Sequence, residues 1–250
     1  MDAVTLEQLQ NPASAYYSEA KAGFGGKNGG IRLNAVRDAA VGVGLRGGMK
    51  ARSDEINDAL KQVDRAMDVT YDFRPYVVQD RVLPPVIVES RDVYTQSGDS
   101  VLRLAGRSYR IESQARFVSR VPTWREYLVM KYEITMPSPA LLPKTPEETE
   151  VWRRSVAEGW REGIEQADKV FDMNYDRLHR DYLGILRFHR LVASNMVTMP
   201  IIAQSSTPVS GDGNQMAVDE HLLRITLLPS FNLNSDNWTA TPGPVKQSRP

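Results

Sequence analysis

The longest regular pattern of apolar and polar positions begins after Thr145 and predicts an amphipathic helix. Thr145 is typical of an N-cap, Pro146 of the first helical position, and Glu148 of the third position of a capping box. An unbroken helix over this pattern would span about 75 Å, so we expect a break near Asn174 or at Gly184. The apolar positions recur every three or four residues and so share one face: Trp152, Val156, Trp160, Ile164, Ala167, Phe171, Tyr175, Leu178, Tyr182 and Ile185.

A second helical pattern starts at Ser53, which is also typical of an N-cap. Pro75 disfavours helical geometry in the residue before it, so this helix is expected to end near Phe73. The fifty residues that precede the pattern hold nine glycines. Glycine at that density loses too much backbone entropy on folding to favour regular structure. Residues 1–50 are therefore predicted to be a flexible arm, with at most a short helix over residues 31–43.

Short apolar and alternating segments predict β-structure in two parts of the chain. Residues 82–88 suit an edge or extended segment because they contain Pro84 and Pro85. Ala105 and Gly106 predict a tight turn between two strands. The predicted strands are residues 100–104, 108–113, 201–204 and 222–228, with a polar turn over residues 205–214 and a short helix over residues 123–130.

Long helical patterns combined with short strands predict an α+β fold, with a small, mainly antiparallel sheet packed against long amphipathic helices. The flexible N-terminal arm would precede a single domain over residues 51–238. Residues 239–250 are rich in Pro, Thr and Gly and are predicted to be a disordered tail. No internal repeat is evident.

Charge and cysteine content exclude several kinds of site. The chain has 31 basic and 31 acidic residues, so it has no net charge that would favour nucleic acid or an anionic surface. It has no cysteine, which excludes disulfides, thiolate chemistry and zinc-finger sites. His179 and His189 stand ten residues apart on a helical pattern, near opposite faces, so a metal site shared by these two is not expected. We expect no metal, no cofactor and no direct binding of nucleic acid.

Two short motifs suggest chemistry, and both have simpler explanations. Residues 42–47 match the GxGxxG dinucleotide pattern, but no alternation of strands and helices follows, so a glycine hinge is favoured. Residues 210–214 (SGDGN) resemble half of a calcium loop without the flanking helices of an EF-hand, and a turn explains them. No GxSxG motif is present, and no catalytic residue is predicted.

Several segments stand in one order over about residues 50–240. They are YDF at 71–73, RVLPPVIVESRD at 81–92, PTWREYL at 122–128, LLPKTPEETEVW at 141–152, GWREGIEQAD at 159–168, SGDG followed by HLLRIT, and NLNSDNW at 232–238. Together these segments resemble the DotC family, lipoproteins of type IVB (Dot/Icm-like) secretion systems and of the related IncI-type conjugation machines. The number of segments makes the match specific.

The resemblance implies an exported lipoprotein, anchored to the periplasmic face of the outer membrane by a lipid on an N-terminal cysteine. Such proteins act with a DotD-like lipoprotein and help bring a DotH-like protein into a ring-shaped outer-membrane core complex. Protein, or DNA with a bound protein, leaves the cell through that complex. This sequence shows neither a signal peptide nor the lipidation cysteine, and a segment that begins after that cysteine is the simplest interpretation. The implied role is that of a structural subunit in a ring-forming hetero-oligomer, not an enzyme.

Exposed segments are the candidates for contact with partners. The proline-rich loop, through Pro139 and Pro143, and the polar segment around Trp238 are predicted to contact neighbouring subunits. Trp152 and Trp160 lie on the buried stripe of the long helix and are expected in the core, whereas Trp238 packs back onto the domain or anchors a partner. An alternative function is a periplasmic module that binds a ligand or peptidoglycan, which would need a concave polar pocket.

Overall fold

The computed structural model describes residues 4–11, 29–96, 102–212 and 214–239. Long helices and small antiparallel sheets confirm the predicted α+β class. Single turns of 3-10 helix lie at Arg74–Tyr76, Pro139–Leu141 and Ser235–Asn237. The described residues form α1 (Leu6–Gln10), α2 (Gly29–Gln62), α3 (Asp64–Thr70), β1 (Val82–Leu83), β2 (Val86–Gln96), β3 (Leu102–Ser113), β4 (Arg116–Phe117), α4 (Trp124–Leu128), α5 (Pro146–Ala193), β5 (Ile201–Gly211) and β6 (Met216–Leu227).

The chain divides into two compact units, and each unit contains two separate stretches of sequence. The first unit comprises Met1–Thr70 and Trp124–Arg177, and the second comprises Tyr71–Thr123 and Leu178–Pro250. Helix α5 contributes residues to both units. The chain therefore does not divide into an arm and a single domain over residues 51–238. Of the predicted tail, all but its first residue lies outside the described residues.

Helix α2 is the largest departure from the sequence prediction. Residues 29–50, predicted to belong to a flexible arm, form most of this 34-residue helix. Its side chains Val36, Ala40 and Val43 are buried in a core cluster with residues of α1 and α5. The arm prediction is therefore wrong for residues 29–50, and its residues 12–28 lie outside the described part of the chain.

Ser53 lies inside α2 and does not start a helix. Its side chain is buried, and its Oγ donates a hydrogen bond to the carbonyl oxygen of Lys50, 2.8 Å away. The residues from Ser53 to Phe73 do not form one helix of their own. Helix α2 continues through Ser53 and ends at Gln62, and the separate helix α3 follows and ends at Thr70. The N-cap prediction at Ser53 is therefore wrong. A serine hydroxyl in the middle of a helix can donate to a carbonyl oxygen of the preceding turn, so a serine does not by itself mark the start of a helix.

Four glycines let α2 and α5 approach each other closely. Gly44 and Gly48 lie on α2, and Gly159 and Gly163 lie on α5. A Cβ atom at any of the four would lie 2.2 or 2.3 Å from a backbone oxygen of the opposite helix. The spacing of four residues places each pair on one face of its helix. The glycines of the GxGxxG match over residues 42–47 therefore lie within a helix, and neither the hinge nor the nucleotide loop is present.

The predicted start of α5 is confirmed. The helix begins at Pro146, and the N–H of Glu148 donates to Oγ1 of Thr145, 3.2 Å away. The Glu148 carboxylate accepts hydrogen bonds from the N–H of Lys144 and from Nε of Arg32, each at 2.7 Å. Burial raises the pKa of Glu148, but the bonds from Lys144 and Arg32 outweigh burial and lower that pKa below its ordinary value.

Replacing Glu148 with Gln should lower the free energy of unfolding by about 1.5–3 kcal/mol at neutral pH, as for other hydrogen bonds to charged groups. The lowered folded-state pKa means that the carboxylate stabilises the fold above its unfolded pKa of about 4.3. This contribution is lost as the pH falls through the folded-state pKa. The difference between wild type and variant in urea unfolding should therefore shrink on acidification. A difference that stays constant from neutral to strongly acidic pH would contradict this prediction.

Helix α5 runs without a break from Pro146–Ala193, a length of 48 residues. The break predicted near Asn174 or Gly184 is therefore wrong. Gly184 serves a close contact instead, because a Cβ atom there would lie 2.5 Å from Cγ1 of Val86 and 3.0 Å from the backbone N of Ile87. The helix does not have to fit within one compact unit, since both units use it.

Two long β-hairpins make up most of the strand residues of the second unit. The first hairpin pairs β2 with β3, the second pairs β5 with β6, and β1 pairs with β4, all antiparallel. The turn predicted at Ala105 and Gly106 is wrong, since β3 runs through both residues. The turn predicted over residues 205–214 is shorter than expected, since β5 continues to Gly211. Residues 100 and 101, predicted to begin a strand, lie outside the described residues.

The two hairpins share one pattern of strand lengths and register, although no internal repeat is evident in the sequence. Each has a first strand of 11 residues and a second strand of 12. Each also has a register shift after its first residue pair. Residues 85–90 (PVIVES) correspond to residues 200–205 (PIIAQS), and residues 109–111 (YRI) correspond to residues 223–225 (LRI). Strand pairing requires only alternation of side chains, so two hairpins can share this pattern with little similarity of sequence.

Candidate partner-binding surfaces

The segment that contains Trp238 closes the C-terminal end of α5. Asn195, with a φ of 54°, ends the helix in the left-handed conformation typical of this position. Nδ2 of Asn232 donates to the carbonyl oxygen of Asn195, 3.1 Å away. The backbone N–H of Thr239 donates to the carbonyl oxygen of Ser194, 3.0 Å away. These bonds satisfy carbonyl groups that the end of a helix leaves without partners.

Trp238 and Leu233 are exposed apolar side chains of this segment. Leu233 is 90% exposed and Trp238 is 43% exposed. Nε1 of Trp238 donates to the carbonyl oxygen of Asn232, 2.8 Å away. The indole therefore packs back onto its own segment with one part and leaves another part open to a partner.

The proline-rich loop is partly exposed and partly buried. Pro139 is exposed at the start of a 3-10 turn, and Nη1 of Arg32 donates to the carbonyl oxygen of Ala140 in that turn, 3.0 Å away. Pro143 is buried. The partner contact predicted at Pro143 stays a prediction, although its side chain is not exposed here. Pro139 stays a predicted contact.

Each hairpin carries an exposed apolar cluster near its tip, and the sequence reasoning missed both clusters. Tyr94 lies directly opposite Leu104, and Val209 lies directly opposite Val218. These side chains are 58–70% exposed. A signal was present, because apolar and polar residues alternate at 102–104 and residues 216–218 are all apolar. The first distal cluster comprises Tyr94, Leu102 and Leu104, and the second distal cluster comprises Val209, Met216 and Val218.

Both distal clusters lie on the outer face of their hairpin. Strand residues an odd number of positions apart point to opposite faces. Ile87, which is fully buried in the core of the second unit, precedes Tyr94 by seven residues. Ile202, which is half-buried, precedes Val209 by the same number. The pairing register therefore gives the two hairpins the same inner and outer faces.

Three arginines surround one carboxylate on the inner face of the first hairpin. The Glu89 carboxylate lies 3.4 Å from Nε of Arg91, 3.9 Å from Nε of Arg107 and 3.4 Å from Nε of Arg187. Arg91 and Arg107 are direct cross-strand partners, and like charges in such a pair are destabilising unless compensated. The equivalent positions of the second hairpin hold neither arginine nor glutamate, but Gln204, Ser206 and His221.

His179 and His189 make contacts within the fold. Nδ1 of His179 lies 3.3 Å from the hydroxyl of Tyr71, and Nε2 of His189 lies 2.9 Å from the carbonyl oxygen of Tyr76. His221 lies on the second hairpin. In the described ranges, no three His, Asp or Glu side chains are placed together to hold a metal ion.

An aromatic cluster surrounds Tyr182 on α5. The rings of Tyr71, Phe73 and Tyr76 contact it edge to face, with centroids 5.3–6.1 Å away. Burial is the main cause that raises the pKa of Tyr182, and the interaction with the neighbouring Tyr76 raises it further. The YDF segment of the resemblance therefore acts in packing.

In the segment that resembles half of a calcium loop, for which the sequence favours a turn, the side chain of Asp212 bonds to the backbone that follows it. Oδ1 of Asp212 accepts hydrogen bonds from the N–H groups of Asn214 and Gln215, at 2.8 and 2.9 Å. These two bonds lower the pKa of Asp212. Gly213, between them, lies outside the described residues. The turn interpretation accounts for the residues around it, since an Asx side chain commonly bonds the following backbone.

The PTWREYL segment fixes α4 against α3. Nε1 of Trp124 donates to Oδ1 of Asp68, 2.8 Å away, and Arg125 forms ion pairs with Asp68 and Asp64. The Arg125 guanidinium also lies over the Trp124 ring, 4.6 Å from its centroid. Hydrogen bonds to the two carboxylates raise the pKa of Arg125, and the bond to Asp68 has the larger effect of the two. The short helix predicted over residues 123–130 is confirmed as α4, in which Trp124 and Leu128 are buried and Tyr127 is half-buried.

Comparison with known proteins places this architecture in a family. No curated protein matches the chain, and no helix in the described residues is long and apolar enough to cross a membrane. A family model described as type IV secretory system, conjugal DNA-protein transfer matches residues 30–240, which include parts of both units. The match agrees with the resemblance to the conjugation counterpart of the DotC family. The chain therefore belongs to this type IV secretory system family of conjugal DNA-protein transfer.

Proposed function

We propose that this component of a conjugal transfer system is a structural subunit of the outer-membrane core complex. The observation that carries the proposal is exposed apolar surface on two-stranded ribbons. Neither hairpin has a third strand among the described residues, and both distal clusters are exposed. A two-stranded hairpin alone is marginally stable in water, and exposed apolar patches mark interaction sites. Such a surface suits a protein that neighbouring subunits cover.

The location and the partners of the proposed subunit come from the resemblance to the DotC family. A lipid anchor would hold it on the periplasmic face of the outer membrane. There it would act with a DotD-like lipoprotein and help assemble a DotH-like protein into the core complex. Its contribution to transfer of protein or DNA–protein substrates would be assembly, without catalysis and without direct contact with nucleic acid.

Affinity purification tests this proposal. The tagged lipoprotein is isolated from detergent-solubilised envelopes of cells that contain the transfer system, and the co-purifying proteins are identified by mass spectrometry. We expect a DotD-like and a DotH-like protein in a large particle. Isolation of the chain alone at monomer size, from cells that contain both partners, would refute the proposed function.

Replacing Trp238 with Ala should weaken assembly and leave the isolated chain nearly as stable as wild type. The indole is 43% exposed, and its hydrogen bond to Asn232 is on the surface. The change in the free energy of unfolding should therefore stay below about 1 kcal/mol. The yield of co-purified partners should fall, because exposed tryptophans are favoured anchors at interfaces.

The matched control is Trp238→Phe, which keeps an aromatic ring and loses the hydrogen bond to Asn232. It should retain more of the assembly than Trp238→Ala. A large fall in melting temperature for Trp238→Ala, with assembly unchanged in the folded fraction, would show that Trp238 is a core residue and not a partner contact.

A further inference from the structure

The positive charge of the first hairpin is concentrated on its inner face. Arg91 of β2 lies directly opposite Arg107 of β3, and Arg103 stands four residues nearer the tip of β3. Each of the three is an even number of positions from the inward-facing isoleucine of its strand, Ile87 or Ile111. Strand residues at even spacing point to one face, so the three arginines line the inner face together.

The two faces of this hairpin differ in charge. Together with Glu89, the inner-face positions carry three positive charges and one negative charge, a net charge of +2. The outer face carries Asp92, Arg110 and Glu112, a net charge of −1. The inner-face positions of the second hairpin hold neither arginine nor lysine. The basic surface therefore belongs to one face of one hairpin.

The protein itself leaves this positive charge only partly compensated. Among the described residues, one carboxylate, that of Glu89, lies within ion-pair distance of the Arg91 and Arg107 side chains, which are 72% and 68% exposed. The same carboxylate also pairs with Arg187 of α5, which donates in addition to the carbonyl oxygen of Ile87. Like charges directly opposite each other in a strand pair are destabilising. An anion bound between the two exposed arginines would therefore stabilise the hairpin.

The spacing of the charges fits an extended acidic chain. Arg103 lies about 13 Å along the ribbon from the level of Arg91 and Arg107, since each strand residue advances about 3.4 Å. Val93 and Ala105, directly opposite each other, occupy the level between. Two carboxylates four residues apart on an extended segment have the same separation, and an apolar side chain midway between them would cover this small apolar level.

A phosphate group and a nucleic acid fit this face less well. A single phosphate group would reach only one of the two arginine levels. Bases of single-stranded nucleic acid stack on aromatic side chains, and the levels from Arg91 to Arg103 hold no aromatic residue. The face therefore favours a peptide with alternating side chains.

We propose that the inner face of the first hairpin binds an extended acidic segment of a neighbouring protein subunit. The segment has the pattern acidic–x–apolar–x–acidic. One carboxylate accepts hydrogen bonds from Arg103 and the other from Arg91 and Arg107, because guanidinium groups bind carboxylates through two parallel bonds. The inference deepens the proposed function, on which it rests for the presence of other subunits. It names the chemistry of one contact that those subunits make.

Binding of a short peptide tests the site. A fluorescently labelled peptide of sequence TETVTET is titrated with the purified full-length chain at low ionic strength, and its anisotropy is measured. The matched control peptide TQTVTQT has the same length and the same apolar residue, without the carboxylates. The acidic peptide should bind at least about tenfold more tightly than the control, and this advantage should shrink as salt is added, because exposed ion pairs are screened.

Variants of the two faces locate the binding site. Arg103→Gln and Arg107→Gln should each weaken binding of the acidic peptide at least about threefold. Arg110→Gln is the matched control on the outer face of the same strand and should leave that binding unchanged. Arg107→Gln should also keep or raise the melting temperature, because it removes the like charge opposite Arg91. Circular dichroism checks that each variant is folded.

Several outcomes would overturn the inference. These are equal binding of the two peptides, an equal effect of the inner-face and outer-face variants, or a lower melting temperature of Arg107→Gln with peptide binding unchanged. Tighter binding of a single-stranded oligonucleotide than of the acidic peptide at the same salt concentration would assign the face to nucleic acid and would also overturn it. Because the purified chain is used without other subunits, a negative result leaves the envelope purification unaffected, and failure of that purification leaves a measured peptide site intact.

Discussion

Replacing Gly44 with Ala is expected to destabilise the first unit by about 1–3 kcal/mol, the usual effect of adding a methyl group to a packed interface. The new Cβ atom would lie 2.3 Å from the carbonyl oxygen of Val156 and 2.9 Å from the backbone N of Trp160. Both are backbone atoms of α5, so the clash cannot be relieved by rotation of a side chain. The helices would have to move apart along their contact, which also loosens the packing around Gly48 and Gly159.

Gly42 provides the matched control in the same helix. A Cβ atom at Gly42 would meet only the end of the Arg46 side chain, at 3.6 Å, which is an ordinary contact. Gly42→Ala should therefore be neutral or stabilising by up to about 1 kcal/mol, because alanine favours the helix over glycine. The measurement is urea unfolding of both variants followed by circular dichroism. Equal effects at the two positions would refute the close-packing explanation.

Trp152→Ala is expected to cost about 3–5 kcal/mol of unfolding free energy, the range for removal of a large aromatic side chain from a core. The side chain of Trp152 is fully buried among Val36, Val43 and Val156. Its Nε1 donates to the carbonyl oxygen of Leu9 in α1, 3.0 Å away. The substitution therefore removes core packing and also the hydrogen bond that holds α1.

Trp152→Phe separates these two contributions. It keeps a large ring in the core and leaves the Leu9 carbonyl without its donor, so we expect a smaller cost of about 1–3 kcal/mol. Hydrogen exchange of the α1 amides should increase in both variants, and more in Trp152→Ala. An unfolding free energy unchanged by Trp152→Ala would show that the core is not where the structure places it. Each unit should be followed separately if unfolding shows two transitions.

Local chemistry was enough to predict the start of α5. The N-cap, the first-turn proline and the capping carboxylate act within four residues, and the structure confirms the helix start and the capping bond at Thr145. The long apolar stripe is also a local property, and Trp152, Val156 and Leu178 on it are buried. The DotC-like segments likewise indicated the family that the family model supports.

Predictions failed where a distant segment decides what a residue does. Glycine-rich residues 29–50 have the composition of an arm, yet Gly44 and Gly48 among them meet α5 more than a hundred positions later in the sequence. Ser53 has the chemistry of an N-cap and lies in mid-helix. Pro143 has the composition of an exposed loop and is buried. In each case the local preference is worth about 1 kcal/mol, which tertiary packing easily exceeds.

By itself, the sequence determined the helical stripe of α5, its capped start, the short helix α4, the α+β class and the family. These follow from periodicity, capping and residue identity, which need no information on distant contacts. Tertiary structure alone decided that α2 forms in a glycine-rich segment, that α5 continues unbroken at Gly184, and that two hairpins share one strand pattern with their distal clusters exposed. The reason is physical: close helix packing, strand register and side-chain exposure depend on which surfaces meet, and that is settled only when the whole chain folds.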